Sequence, residues 1–154
     1  MSEISKILDN LRRQCSRREY CTSDVLKKAE KALDGDKEKA MQVVATLVEE
    51  KFVDDLRYAS AYAREKSAIS GWGEVKIRYM LSAKGIARDV IAQALAEVDP
   101  NRADSRLIKL LENKYRTLRE DPQCKLKLLR FALGRGYSYD EVGGHIDALM
   151  KKDK

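Results

Sequence analysis

The chain has 154 residues, with 31 Lys and Arg against 25 Asp and Glu, one His, three Cys, eight Gly and two Pro. Its 44% apolar share is too large for a disordered chain, and Ala, Leu, Lys, Arg and Glu with only 6% aromatics favour helix. No run nears the roughly 18 apolar residues that cross a bilayer, and Met1-Ser2-Glu3-Ile4-Ser5-Lys6 has no apolar signal region, so a cytoplasmic chain is expected.

The length suits one domain, or two or three small units. In chain order, Ile4, Ile7, Leu8 and Leu11 recur at helical spacing and predict a first amphipathic helix to about Arg18. Thr22 or Ser23 is the expected cap of the next, with Val25, Leu26, Ala29 and Leu33 on one face and an end near Gly35. Asp36 opens a third, carrying Ala40, Val43, Val44, Leu47 and Val48. Asp54 is an N-cap for a fourth with Leu56, Ala59 and Ala63 inward. Gly71-Trp72-Gly73 breaks the pattern, and Ile77, Met80 and Leu81 then lead to Gly85, a natural left-handed helix end. Val90, Ile91, Ala94 and Leu95 make another helix, closed by Asp99-Pro100. Leu107, Leu110, Leu111 and Leu118 line a longer one. Asp121-Pro122 is read as an N-cap followed by proline at the first helical position. Leu126, Leu129 and Leu133 follow, and Ser138 with Glu141 forms a capping box before Val142, Ile146 and Leu149. Eight or nine helices and no strands are expected.

Three places share one plan: a helix ends in a Lys or Gly turn, one large apolar residue follows, and a new helix starts. They centre on Lys51-Phe52, Gly85-Ile86 and Gly136-Tyr137. The steps between them are 34 and 51 residues, too irregular for a strict repeat. The reading is three tandem three-helix units, residues 1–55, 56–99 and 100–154, in an elongated, curved all-α array of right-handed or similar twist.

Charge is unevenly spread. Residues 1–55 balance at −1, residues 56–135 carry 17 basic and 9 acidic side chains for +8, and the remainder is again −1. A polyanionic partner or a set of solvated helix faces would each account for this. Lys66, Lys76, Arg78, Lys84 and Arg88 surround the Gly-Trp-Gly turn, and Trp72 has two open roles there: a contact for a partner, or intramolecular packing. A dinucleotide fingerprint would need glycine where Lys76 stands, and no strand precedes it.

Catalytic chemistry has little support. His145 has no Ser or Cys placed as its nucleophile and reads as a half-buried structural residue. Cys15, Cys21 and Cys124 are odd in number and read as reduced packing residues. No Cys or His pair has zinc spacing. Asp54 and Asp55 are expected to answer free N–H groups at a helix start rather than hold a metal. No cofactor and no metal are expected.

The order Arg17-Arg18-Glu19-Tyr20, then Phe52-Val53-Asp54-Asp55-Leu56-Arg57-Tyr58-Ala59, then Gly71-Trp72-Gly73 with Ile77, Leu81 and Gly85-Ile86, resembles the RecX family of bacterial recombinase regulators. So does the late Lys127, Arg130-Phe131 and Arg135-Gly136-Tyr137. Two departures, Cys21-Thr22 around the first cap and a short linker at 33–40, leave these motifs intact. The resemblance implies an all-helical, non-catalytic protein of recombination, DNA repair and the SOS response. It implies binding to RecA–DNA filaments, with restraint of ATP hydrolysis, filament extension and strand exchange. Direct contact with single- or double-stranded DNA, as an autonomous helical module, is the alternative. A monomer without membrane association is the default. Lys66, Trp72, Lys76, Arg78, Lys84 and Arg88 are the expected partner contacts. Asp54, Asp55, Arg57, Gly71, Gly73 and Gly85 are family-motif positions with expected structural roles.

Overall fold

A computed structural model describes residues 2–153. Among them nine helices follow one another and no strand occurs: α1 (Glu3–Arg17), α2 (Thr22–Ala32), α3 (Lys37–Glu49), α4 (Asp55–Ala68), α5 (Glu74–Ala83), α6 (Arg88–Leu95), α7 (Pro100–Leu118), α8 (Cys124–Gly134) and α9 (Tyr139–Lys152). The all-α expectation holds. No helix among the described residues is long and apolar enough to cross a membrane.

Three starts follow the sequence. The Asp36 carboxylate accepts the Lys39 N–H at 3.1 Å, Asp54 accepts that of Arg57 at 3.0 Å, and Ser138 with Glu141 closes the capping box. Three starts differ. Cys21, not Thr22 or Ser23, is the N-cap of α2, its N–H donating to the Asp24 carboxylate at 3.4 Å. Ser23 is occupied elsewhere, its hydroxyl donating to the Lys84 carbonyl at 2.6 Å. Pro122 lies in a turn before α8 rather than at its first position, because the Asp121 carboxylate takes the Gln123 N–H at 2.8 Å and so holds a tight local turn. The proline at a first helical position is instead Pro100, with Asp99 capping α7 through the Asn101 N–H at 2.9 Å. Asp99-Pro100 thus opens α7 as well as following α6.

The three look-alike turns share one backbone geometry. Lys51, Gly85 and Gly136 all have positive φ, at 67°, 76° and 98°. In each, the next residue's N–H reaches back over the last helical turn: Phe52 to the Leu47 carbonyl at 2.9 Å, Ile86 to Leu81 at 3.3 Å, and Tyr137 to Ala132 at 3.2 Å. The left-handed residue's own N–H closes the inner ring, to Val48, Ser82 and Leu133 respectively. This is the Schellman closure, which satisfies carbonyls that a helix end leaves open. The reversal turns the following apolar residue inward, so Ile86 and Tyr137 are buried and Phe52 is half-buried.

The chain divides into two compact units, Met1–Ala61 with Leu81–Ala94, and Tyr62–Met80 with Leu95–Lys154. In the first, Leu11, Val25, Ala29, Val43, Val44, Leu47 and Val53 form the core, with Ile4, Ile7, Tyr20 and Phe52 against it. In the second, Leu107, Leu111, Cys124, Leu128, Ala132, Tyr137, Val142 and Ile146 do so. Each fully buried Leu or Ile contributes about 1.5–3 kcal/mol over its exposed state. The three cysteines are free thiols, and burial raises the pKa of each.

Candidate functional site around Trp72

The loop joining α4 to α5 belongs to the second unit and is fixed mostly by main-chain bonds. The Trp72 N–H donates to the Lys66 carbonyl at 2.9 Å, the Gly73 N–H to Arg135 at 2.8 Å, and the Val75 N–H to Gly136 at 2.9 Å. The Tyr137 hydroxyl donates to the Gly71 carbonyl at 3.1 Å and the Arg135 guanidinium to that of Ser70 at 3.2 Å. Burial raises the Tyr137 pKa and keeps its proton available for that bond. Below the loop, Arg106 donates to the buried Ser67 hydroxyl at 2.8 Å.

Two glycines make this approach possible. A Cβ at position 73 would lie 2.5 Å from the Gly136 carbonyl oxygen, and one at 136 would run into the Cβ of Lys76. The two backbones touch where no methyl group fits. Gly71 is also left-handed, at φ 69°.

Trp72 is neither a core residue nor an open platform. Its ring is half-buried, with the Lys76 ammonium 4.3 Å and the Lys66 ammonium 4.9 Å from its centroid. Tyr62 meets it edge-on, the ring centroids 6.3 Å apart. An ammonium over an indole gains about 0.5–1 kcal/mol where solvent reaches it. No ion pair among the described residues takes either lysine. Two half-buried cations therefore share one ring, and no carboxylate among the described residues is within ion-pair distance of either. An incoming anion would relieve their repulsion.

The other expected contacts are not among the cations over the Trp72 ring. Arg78 is exposed on α5 and pairs with Glu74. In the first unit, Lys84 donates to Asp24 at 2.8 Å, while Arg88 is exposed at the start of α6. Burial pushes the Asp24 carboxyl up, but its hydrogen bonds from Lys84 and Cys21 outweigh this and lower its pKa. The hydrogen bond to Asp24 raises that of Lys84.

The motif acids and arginine act within the fold. Asp54 caps its own helix as expected, but Asp55 answers a different one, accepting the Thr22 N–H at 2.7 Å. Arg57 donates to the carbonyls of Lys51 and Phe52 and pairs with Glu19. His145 meets Asp104 at 2.7 Å beside a 530 Å³ cleft between α7 and α9. No group of three metal-ligating side chains occurs among the described residues.

Sequence reasoning missed two further rings that carry cations. Phe131 faces Lys114 and Arg135, and Tyr20 faces Arg18 and Lys28. The adjacency of Arg18 to Tyr20 was readable. Lys114 and Phe131 lie on different helices, and nothing local links them.

Comparison with known proteins gives a consistent result. The description of the RecX second three-helix domain matches residues 54–95, and that of the third matches residues 103–143. The regulatory protein RecX of Clostridium tetani is 31% identical over 116 residues, covering 73% of this chain and 53% of its own. That of Clostridium botulinum strain Alaska E43 is 35% identical over 119 residues, covering 75% and 55%. That of Vibrio parahaemolyticus is 37% identical over 97 residues, covering 62% and 61%. The chain spans about half the length of the clostridial relatives. The crystal structure of RecX from Lactobacillus salivarius superposes with a TM-score of 0.84 at 23% identity over 96% of both chains. At that identity the likeness is one of fold.

Proposed function

This chain belongs to the RecX family, and from that membership we propose that it regulates RecA recombinase by binding RecA–DNA filaments, not by catalysis. The proposed outcome is restraint of ATP hydrolysis, filament extension and strand exchange. The observation that carries the reading is the pair of unpaired lysines held over Trp72 on a loop fixed by main-chain bonds. A binding protein needs such preorganised, uncompensated charge, because fixing flexible side chains on binding costs affinity. Lys66, Trp72 and Lys76 are the proposed contacts, with exposed Arg78 on the next helix. In the first unit, Lys84 and Arg88 are proposed as further contacts, Lys84 less so because Asp24 already shares its charge. We assign the three-helix units to residues 1–55, 56–99 and 100–154, in a cytoplasmic monomer.

Adding the purified chain to RecA filaments on single-stranded DNA should lower DNA-dependent ATP hydrolysis, and K66E/K76E should weaken that effect at unchanged helix content. No inhibition at stoichiometric amounts overturns the reading. The +8 balance of residues 56–135 favours a second reading, an autonomous DNA-binding module. Tight binding to naked DNA without any effect on RecA would select it.

A further inference from the structure

The cleft beside His145 lies within the second unit, and the filament reading makes no use of it. Its 530 Å³ falls in the range of small-molecule sites. Two contacts fix how its walls run. His145 meets Asp104 at one end. At the other, Asp153 accepts from the Tyr115 hydroxyl at 2.8 Å and the Arg119 guanidinium at 2.7 Å. The walls, α7 and α9, therefore lie side by side in the same direction. Along α7 the lining runs from Ile108 to Arg119, a rise of about 16 Å.

Polarity separates along that length. Leu111 is buried, with half-buried Ile108 and Leu149 and exposed Ala148 lining the cleft beside it. Arg116, Arg119 and Lys152 follow toward the Asp153 end. Asp153 already shares the charge of Arg119, whereas Arg116 and Lys152 enter no ion pair among the described residues. Glu112 is the other carboxylate of the lining. Three cations against two carboxylates leave the cleft at +1, with His145 counted neutral.

We propose that this cleft binds an amphipathic monoanion, an unbranched aliphatic carboxylate. Its tail lies along Ile108, Leu111 and Leu149, and its head meets Arg116 and Lys152. One negative charge balances the lining, which a dianion or a polyphosphate would overcompensate. The apolar walls are aliphatic, and a flat aromatic body would find only the Tyr115 ring to stack on. Charge-assisted bonds at the head set the orientation, and the tail adds affinity by leaving water. None of the proposed filament contacts lines this cleft, so the two readings stand or fall separately.

The full chain is titrated by calorimetry with sodium octanoate, sodium decanoate and the neutral octan-1-ol. One molecule of carboxylate should bind per chain. Each methylene that enters the cleft tightens binding up to about fourfold, so decanoate should exceed octanoate by up to about fifteenfold. Octan-1-ol should bind about tenfold more weakly than octanoate, for want of the charged head. R116Q/K152Q should cost the carboxylates about the same factor, while K109Q, on α7 outside the lining, should leave them unchanged. Ala148 is exposed, so A148F fills the cleft without entering the core and should abolish binding. Absence of decanoate binding at about 1 mM overturns the proposal. So does equal affinity for octan-1-ol and octanoate, or full binding by A148F at native helix content.

Discussion

Asp55, the first residue of α4, accepts both the backbone N–H of Thr22 at 2.7 Å and its hydroxyl at 3.0 Å. One carboxylate so closes the half-buried start of α2 from another helix, 33 residues away in sequence. Replacing it with Ala leaves a helix-start donor without its charged acceptor. Asp55→Ala should cost about 1–3 kcal/mol in urea unfolding, and Asp55→Asn, which keeps an acceptor oxygen, less than half of that.

Lys51 performs with a side chain what Gly85 and Gly136 perform without one. A non-glycine residue in the left-handed region carries about 1–2 kcal/mol of strain. Glycine's greater freedom in the unfolded chain offsets about 0.5–1 kcal/mol of any relief. Lys51→Gly should therefore raise stability by about 0.5 kcal/mol, and Gly85→Ala should lower it by about 1–2 kcal/mol. Paired thermal unfolding curves decide both signs.

Gly73→Ala places a methyl group against the Gly136 main chain, and neither backbone has a flexible side chain to yield. A loss of about 3 kcal/mol is expected, as for severe overpacking. Loosening of the loop should also move Trp72 into water. A red shift of its emission at temperatures where the helices remain intact would show this, and an unchanged spectrum with native stability would refute it.

The Asp24–Lys84 pair gives stability two pH edges of opposite sign. The Asp24 pKa is lowered on folding, so its contribution is present above its ordinary value near about 4 and fades as the pH falls through the folded value. The Lys84 pKa is raised, so its contribution is complete below about 10 and fades as the pH rises through the folded value. Lys84→Met should shrink both edges in urea midpoints measured from pH 2.5 to 11. An acid edge of undiminished size would place the origin at other carboxylates.

Features whose determinants are adjacent in the chain were legible from sequence. The turns at 51, 85 and 136 were recognisable because a left-handed helix end and the apolar residue after it are neighbours. The Ser138–Glu141 box was recognisable for the same reason. The two prolines show the limit. Both follow an Asp, and only the tertiary setting decides that Pro100 starts a helix while Pro122 sits in a turn ahead of one. Position 72 could be named as a site, but its half-buried state depends on Lys76, Lys66 and Tyr62 converging on it. The Phe131 ring with Lys114, and Asp55 with Thr22, join residues whose meeting depends on helix packing, which local spacing does not encode.

The main-chain tethers of the 70–75 loop carry one more consequence. Carbonyls and amides are common to every amino acid, so exchanging the side chain at 72 removes none of the bonds from Lys66, Arg135 or Gly136 that hold the loop's path. The indole is a replaceable tool on a permanent mount. A lineage could change what this protein grips by altering one codon, with the fold that presents it left as it is.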